Sequence, residues 1–354
     1  MGRTSRVVAV CLGLCVARLA GANEPETKPK SATMPINATE KVRGTVERAI
    51  GYLQDESADW LKTRKCAACH HVPMPLWALG EAKRYGYAID EKYLADTAES
   101  LLGSDEKLLA TRIFPNPAEK PDPRPQGRGL NMGLPMLAVA ARTLPSPPAG
   151  QGRSLTRIAE EIVRKQQADG SWEFFATLRR PPINESQATD VAWIIMALDD
   201  EKDAPEAQRA ALAKARAWLE SAKDADLHQD KALRVILGVR SGKSAEGLRP
   251  TIDELLALQR PDGGWSQTVP EPRSDAFATG QTLYALALAG FSPDRIEVRR
   301  GIDFLVANQD DDGSWPMTSR STPNGLPGGA KLLSPITCAA SSWATLALAR
   351  LVPR

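Results

Sequence analysis

Gln259-Arg260-Pro261-Asp262-Gly263-Gly264-Trp265 is the stretch on which the reading of the fold turns. Its frame, Gln, five residues, Trp, returns at Gln166–Trp172, Gln309–Trp315 and Gln54–Trp60, and all but the last of these four close with Asp-Gly-x-Trp. Ahead of each Gln runs a segment of helical period, such as Ile252, Leu255 and Leu256 or Ile302, Leu305 and Val306. Behind each Trp comes a more apolar helix, aligned on Trp77, Trp193, Tyr284 or Trp343. Helices apolar nearly all round are buried ones. The repeat is therefore an outer amphipathic helix, a glycine turn and an inner helix.

Spacing raises four such hairpins to six. Trp265 and Trp315 are 50 residues apart, whereas Trp172 to Trp265 is 93 and Trp60 to Trp172 is 112. Each long gap has room for two hairpins, with candidates at 91–144 (inner helix Met132 to Ala141) and 208–240. Six hairpins closing on themselves predict an all-α fold, an (α/α)6 toroid, as one domain over 44–351. In the turns, Asp-Gly makes the bend, Gln serves free backbone groups at a helix end, and the indole packs over neighbouring hairpins. Proline-rich stretches at 115–129, 145–152 and 316–335 are read as loops on one face.

The 354 residues are 42% hydrophobic, with a formal net charge of +2, so the chain lacks the basic footprint of a nucleic-acid binder. Residues 1–22 read as a signal peptide: Arg3 and Arg6, the apolar run Val7 to Val16, then Ala20-Gly21-Ala22 for cleavage. That implies export to the periplasm or cell envelope, with no transmembrane span. Residues 23–43, rich in Pro, Lys and Glu, read as a disordered lead-in. Cleavage leaves Cys66, Cys69 and Cys338, too few for a disulfide-stapled fold.

The Gln–Trp turns between alternating helices resemble the prenyltransferase and squalene oxidase repeat family, over about 44–351. The resemblance implies the α/α toroid of squalene–hopene cyclases and protein prenyltransferase β subunits. It also implies a cavity for a small apolar ligand or peptide. Such cyclases protonate substrate from Asp-x-Asp-Asp, but the comparable region here is Arg273-Ser274-Asp275-Ala276-Phe277, leaving Asp275 as the candidate acid. Asp190 occupies a similar helix start, and either residue is also a natural cap. The Asp, Cys and His of a prenyltransferase zinc site are not matched, because no His follows Cys338. Asp199-Asp200-Glu201-Lys202-Asp203 has the form of a magnesium–diphosphate motif, but at a helix end it reads as solvated charge.

Cys66-Ala67-Ala68-Cys69-His70 has the attachment pattern of c-type haem, with both thiols on the porphyrin and His70 on the iron. Met74, Met132, Met136, His228 and Met317 are the candidates for a sixth ligand. A Cys66–Cys69 disulfide, and a metal site of Cys66, Cys69, His70 and His71, are the alternatives. The working expectation is an exported squalene-cyclase-like repeat protein carrying haem c, with a redox partner protein. Its rivals are a terpenoid or lipid cyclase-like enzyme and a non-catalytic ligand-binding scaffold with the disulfide.

Overall fold

Helices alternate in character along the chain, and a computed structural model shows where each kind goes. It describes residues 35–64, 67, 70–114, 129–173, 181–199, 203–222, 227–269, 273–320 and 336–354. The outer helices are α1 (Ile36–Arg64), α3 and α4 (Glu91–Leu102, Asp105–Ala110), α6 (Gln151–Arg164), α8 (Glu206–Ser221), α10 (Arg249–Ala257) and α12 (Ile296–Ala307). The inner helices are α2 (Pro73–Arg84), α5 (Gly133–Ala141), α7 (Gln187–Leu198), α9 (His228–Arg240), α11 (Ala276–Leu288) and α13 (Thr337–Leu351). No strand occurs among the described residues, and isolated bridges pair Gln166 with Trp172 and Trp265 with Asp275 at the turns. The six expected hairpins are present, including the two whose sequence lacks the Gln–Trp frame.

Burial follows composition. α5 is buried at every residue and α7 from Ala188 to Leu198, whereas α12 buries only the stripe Val298, Gly301, Ile302 and Leu305. Each inner helix packs on the next, α2 to α5, α7, α9, α11 and α13, and α13 returns to α2. The unit Thr33–Arg354 is thus a closed ring of inner helices within an outer layer. Gly280 permits a close crossing of α11 and α13: a Cβ there would stand 2.6 Å from the backbone nitrogen of Ala344 on α13.

The three Asp-Gly turns share one hydrogen-bond plan. Asp169, Asp262 and Asp312 each accept from the backbone N–H two residues on, at 2.9–3.0 Å. Gly170, Gly263 and Gly313 then take positive φ, where a side chain is disfavoured. Each Gln amide donates to its own glycine carbonyl and to a carbonyl of the next outer helix. The second acceptors are Ala211 at 2.8 Å, Glu297 at 2.7 Å and Thr45 at 2.9 Å. The indole N–H groups of Trp172, Trp265 and Trp315 reach back to Ile162, Leu255 and Leu305, carbonyls in the last turn of their own outer helices. The helix-end role expected of Gln falls to Trp, and Gln ties one hairpin to the next; the indole also packs on the neighbouring hairpin as expected, the Trp265 ring lying against Gly301 of α12.

Two boundaries differ from expectation. α1 starts at Ile36, so residues 36–43 of the expected disordered lead-in are helical. Gln54–Trp60 is not a turn but lies inside α1, which runs on to Arg64. Ala58 stands where the other three repeats have glycine, so nothing breaks the helix. Gln54 still reaches the following outer helix, its Oε1 accepting from the N–H of Asp90, the N-cap of α3, at 3.0 Å. Residues 1–34, Cys66, Cys69, 115–128 and 321–335 lie outside the described residues, and with them the segments expected to be a signal peptide and proline-rich loops. No described helix is long and apolar enough to cross a membrane.

Candidate active site

Three adjacent inner helices, α7, α9 and α11, carry Asp190, Asp230 and Asp275 at their N-terminal ends. Ser186 caps α7, accepting from the Thr189 N–H at 3.0 Å, so Asp190 is not the cap. The hydroxyls of Ser186 and Thr189 donate to the Asp230 carboxylate at 3.2 and 2.7 Å, joining α7 to α9. Burial raises the Asp230 pKa above the ordinary carboxylate value, and those two hydroxyls oppose the rise.

His228 joins α9 to α11. Its Nε2 lies 2.6 Å from Thr282 Oγ1. The Thr282 hydroxyl spends its proton on the Ala278 carbonyl at 2.9 Å, so it accepts from the imidazole, which places the ring proton on Nε2. Complete burial, aided by Lys231, pushes the His228 pKa down to about 3 and keeps the ring neutral. A cavity of about 640 Å³ opens at this residue, with Lys231, Ser266 and Thr268 as polar wall and Leu258 and Val269 as apolar wall.

Asp275 is the N-cap of α11: its Oδ1 accepts from the Ala278 N–H at 2.8 Å. Its Oδ2 accepts from Gln267 Nε2 at 3.0 Å. Gln267 is held in that orientation because its Oε1 accepts from Arg320 Nε at 2.8 Å, and Arg320 is paired with Glu185. Burial pushes the Asp275 pKa up to about 6 against the pull of the Ala278 N–H and Gln267. The carboxyl therefore keeps its proton to a higher pH than an exposed one, as a general acid requires.

Further along the inner helices, the aligned aromatics converge. Trp77 lies edge-on to Trp193, Tyr284 and Trp343 at centroid distances of 5.6, 5.5 and 5.2 Å, and Phe277 lies 6.2 Å from Trp343. Tyr284 follows Asp275 by nine residues, about 13 Å at the helical rise. This layer fills the ring at its own level. The chain is sparing with aromatics, yet it spends these on one place. Within the ring, Trp193 Nε1, Trp343 Nε1 and Gln281 Oε1 are buried without hydrogen-bond partners among the described residues. Such groups are normally served by water or a ligand.

Of the haem-type motif, His70 is described and is buried, its ring centroid 4.3 Å from that of His71. Cys66 and Cys69 lie outside the described residues, as do Asp200, Glu201 and Lys202. Asp199 is an ion-pair partner of Arg216 at 2.6 Å. The sequence singled out Asp275 and Asp190, named His228 only as a possible haem ligand, and missed Asp230 and the Glu185–Arg320–Gln267 relay. The one available signal was an aspartate at the start of each of three successive inner helices.

This fold is that of the α/α toroids seen in type II terpene cyclases and in glycosidases. A variant of the type II terpene cyclase MstE from Scytonema, in complex with its substrate geranylgeranyl dihydroxybenzoate, superposes with a TM-score of 0.56 at 14% identity, covering 90% of this chain and 99% of the other. A glycosidase variant in complex with glucose matches with the same TM-score at 12% identity and the same coverage. By sequence, lanosterol synthase of Candida albicans is 31% identical over 81 residues, 21% of this chain and 11% of that protein. Squalene–hopene cyclase of Bradyrhizobium diazoefficiens is 33% identical over 90 residues, 23% of this chain and 13% of that protein. These matches span about an eighth of the cyclases' own length. No family model matches the chain.

Proposed function

We propose that the chain is a single-toroid, terpenoid-cyclase-like protein that takes an isoprenoid-type ligand at the N-terminal ends of its inner helices. Asp275 is the proton donor in this reading. One observation carries it: a partly buried carboxyl at the head of α11, held by the Ala278 N–H and the Gln267 amide, with its pKa raised to about 6. To protonate an alkene, the Asp275 proton moves to a substrate carbon, and the carboxylate left behind keeps the Ala278 N–H and Gln267 amide as donors. Arg320 and Glu185 orient Gln267 and so act as positioning residues. The cavity at His228 is large enough to admit a ligand with apolar arms. The sequence matches to two cyclases support the same reading, within the short segments they cover.

Squalene is the probe that tests it. Wild-type protein incubated with squalene is expected to yield cyclised product and to show tryptophan fluorescence changes on binding. Asp275→Asn keeps an acceptor for the α11 cap, so it is expected to bind while forming no product. Product formation undiminished in Asp275→Asn removes that residue as the acid. Neither binding nor product with wild type removes the reading altogether.

A further inference from the structure

Three donor groups from distant parts of the chain meet where the ring closes. Glu56 is on α1, His71 is in the link before α2, and Cys338 is on the first turn of α13. Their ligand atoms lie within 4.8 Å of one another, and His71 Nδ1 is 3.6 Å from Glu56 Oε1. Tetrahedral zinc with bonds of about 2.0–2.3 Å sets its donors about 3.3–3.6 Å apart, so modest closure would complete the arrangement. We infer that Glu56, His71 and Cys338 form a binding site for a divalent transition metal of zinc type at the seam between the last hairpin and the first.

Three further features fit a cation there. The His71 ring is stacked on Trp60 at 3.5 Å and 6°, which fixes the plane in which its nitrogens point. Beside the cluster opens a cavity of about 470 Å³ whose wall includes Asp55, Glu56, Asp59, Asp311 and Asp312 against a single Arg48, an entry of strongly negative charge. Finally, thiolate, imidazole and carboxylate form a mixed set suited to zinc, and the two anions balance a dication in a buried place. Binding displaces the Cys338 thiol proton to solvent as the sulfur–metal bond forms. Three protein donors leave a fourth position for water.

The full-length chain, stripped with a chelator and titrated with cobalt(II), tests the assignment. One equivalent is expected to bind and to produce a thiolate-to-cobalt charge-transfer band in the near ultraviolet. Cys338→Ser is expected to lose the band, and the double variant Cys66→Ser, Cys69→Ser to keep it. Glu56 is partly exposed, so Glu56→Gln should fold normally and weaken cobalt affinity at least tenfold. A band that persists in Cys338→Ser, or one that depends on Cys66 and Cys69, overturns the proposal. So does the absence of any band in wild type, or an unchanged affinity in Glu56→Gln.

Discussion

Gln309 donates its side-chain amide to the backbone carbonyl of Thr45 at 2.9 Å, joining the last Gln–Trp turn to the first outer helix across 264 residues of sequence. The same amide also holds Gly313 O at 2.9 Å. Ring closure therefore uses the contact that Gln166 and Gln259 make between successive hairpins. Gln309 Oε1 also accepts from Arg48 Nη2 at 2.5 Å, so Gln309→Ala is expected to lower unfolding free energy by about 2–3 kcal/mol, the sum of three lost hydrogen bonds. Denaturant melts check the size. Hydrogen exchange should show the loosening concentrated in α1 and α12, and protection unchanged there would contradict the closure role.

Gly263 and Gly290 offer a controlled comparison, both with positive φ, at 89° and 85°. A Cβ at Gly263 would lie 2.6 Å from the Arg300 carbonyl oxygen, whereas one at Gly290 would meet nothing within 4 Å. Gly290→Ala should cost only the backbone term, about 1–2 kcal/mol. Gly263→Ala should cost clearly more, since α12 must move away, and its melting temperature should fall further. Equal losses in the two variants would mean that the turn does not press on the next helix.

How much of this was legible in the sequence depends on the range of the contact. The Asp-Gly-x-Trp turns are local, and the helix periods on either side of them fixed hairpins, inner faces and even the Gln–Trp-less units at 91–144 and 208–240. Gln54–Trp60 carries the same frame yet forms no turn, because Ala58 differs from glycine by one methyl group, and that is enough to let α1 continue. Trp77, Trp193, Tyr284 and Trp343 could be aligned by position, but their meeting on the axis needs the ring to be closed. Cys338 invited a search for a histidine downstream. The fold instead supplies His71 from the other end of the chain, a pairing that no sequence spacing encodes.

His228 sets an acid limit on stability. Its pKa is about 3 in the folded protein against an ordinary 6.5, so the unfolded chain takes up a proton first as pH falls. Its contribution is complete above pH 6.5 and is lost as pH drops toward 3. Asp275 runs the other way: its pKa is raised from 3.8 to about 6, so its contribution is complete below 3.8 and lost as pH rises through 6, about 3 kcal/mol in all. Replacing the imidazole isolates the first effect. The melting temperature of His228→Gln, followed from pH 7 downward, should fall less steeply than that of wild type. Parallel curves would show that His228 titrates normally in the fold.

The redox reading of Cys66, Cys69 and His70 stays a proposal with a test of its own. Covalent haem predicts a Soret band that survives acid–acetone extraction, in protein made together with a haem-attachment system. A colourless product would remove haem and the redox partner with it. A mass lower by two hydrogens would support the Cys66–Cys69 disulfide instead.

The proposed chemistry rests on Asp275 in its protonated form, so the pH profile of squalene conversion tests it most directly. A protonated Asp275 donor predicts a rate that is high below about pH 6 and falls as pH rises through that value, with the fall absent along with the activity in Asp275→Asn. Conversion that is independent of pH across that range, or that increases as the carboxyl ionises, would contradict it.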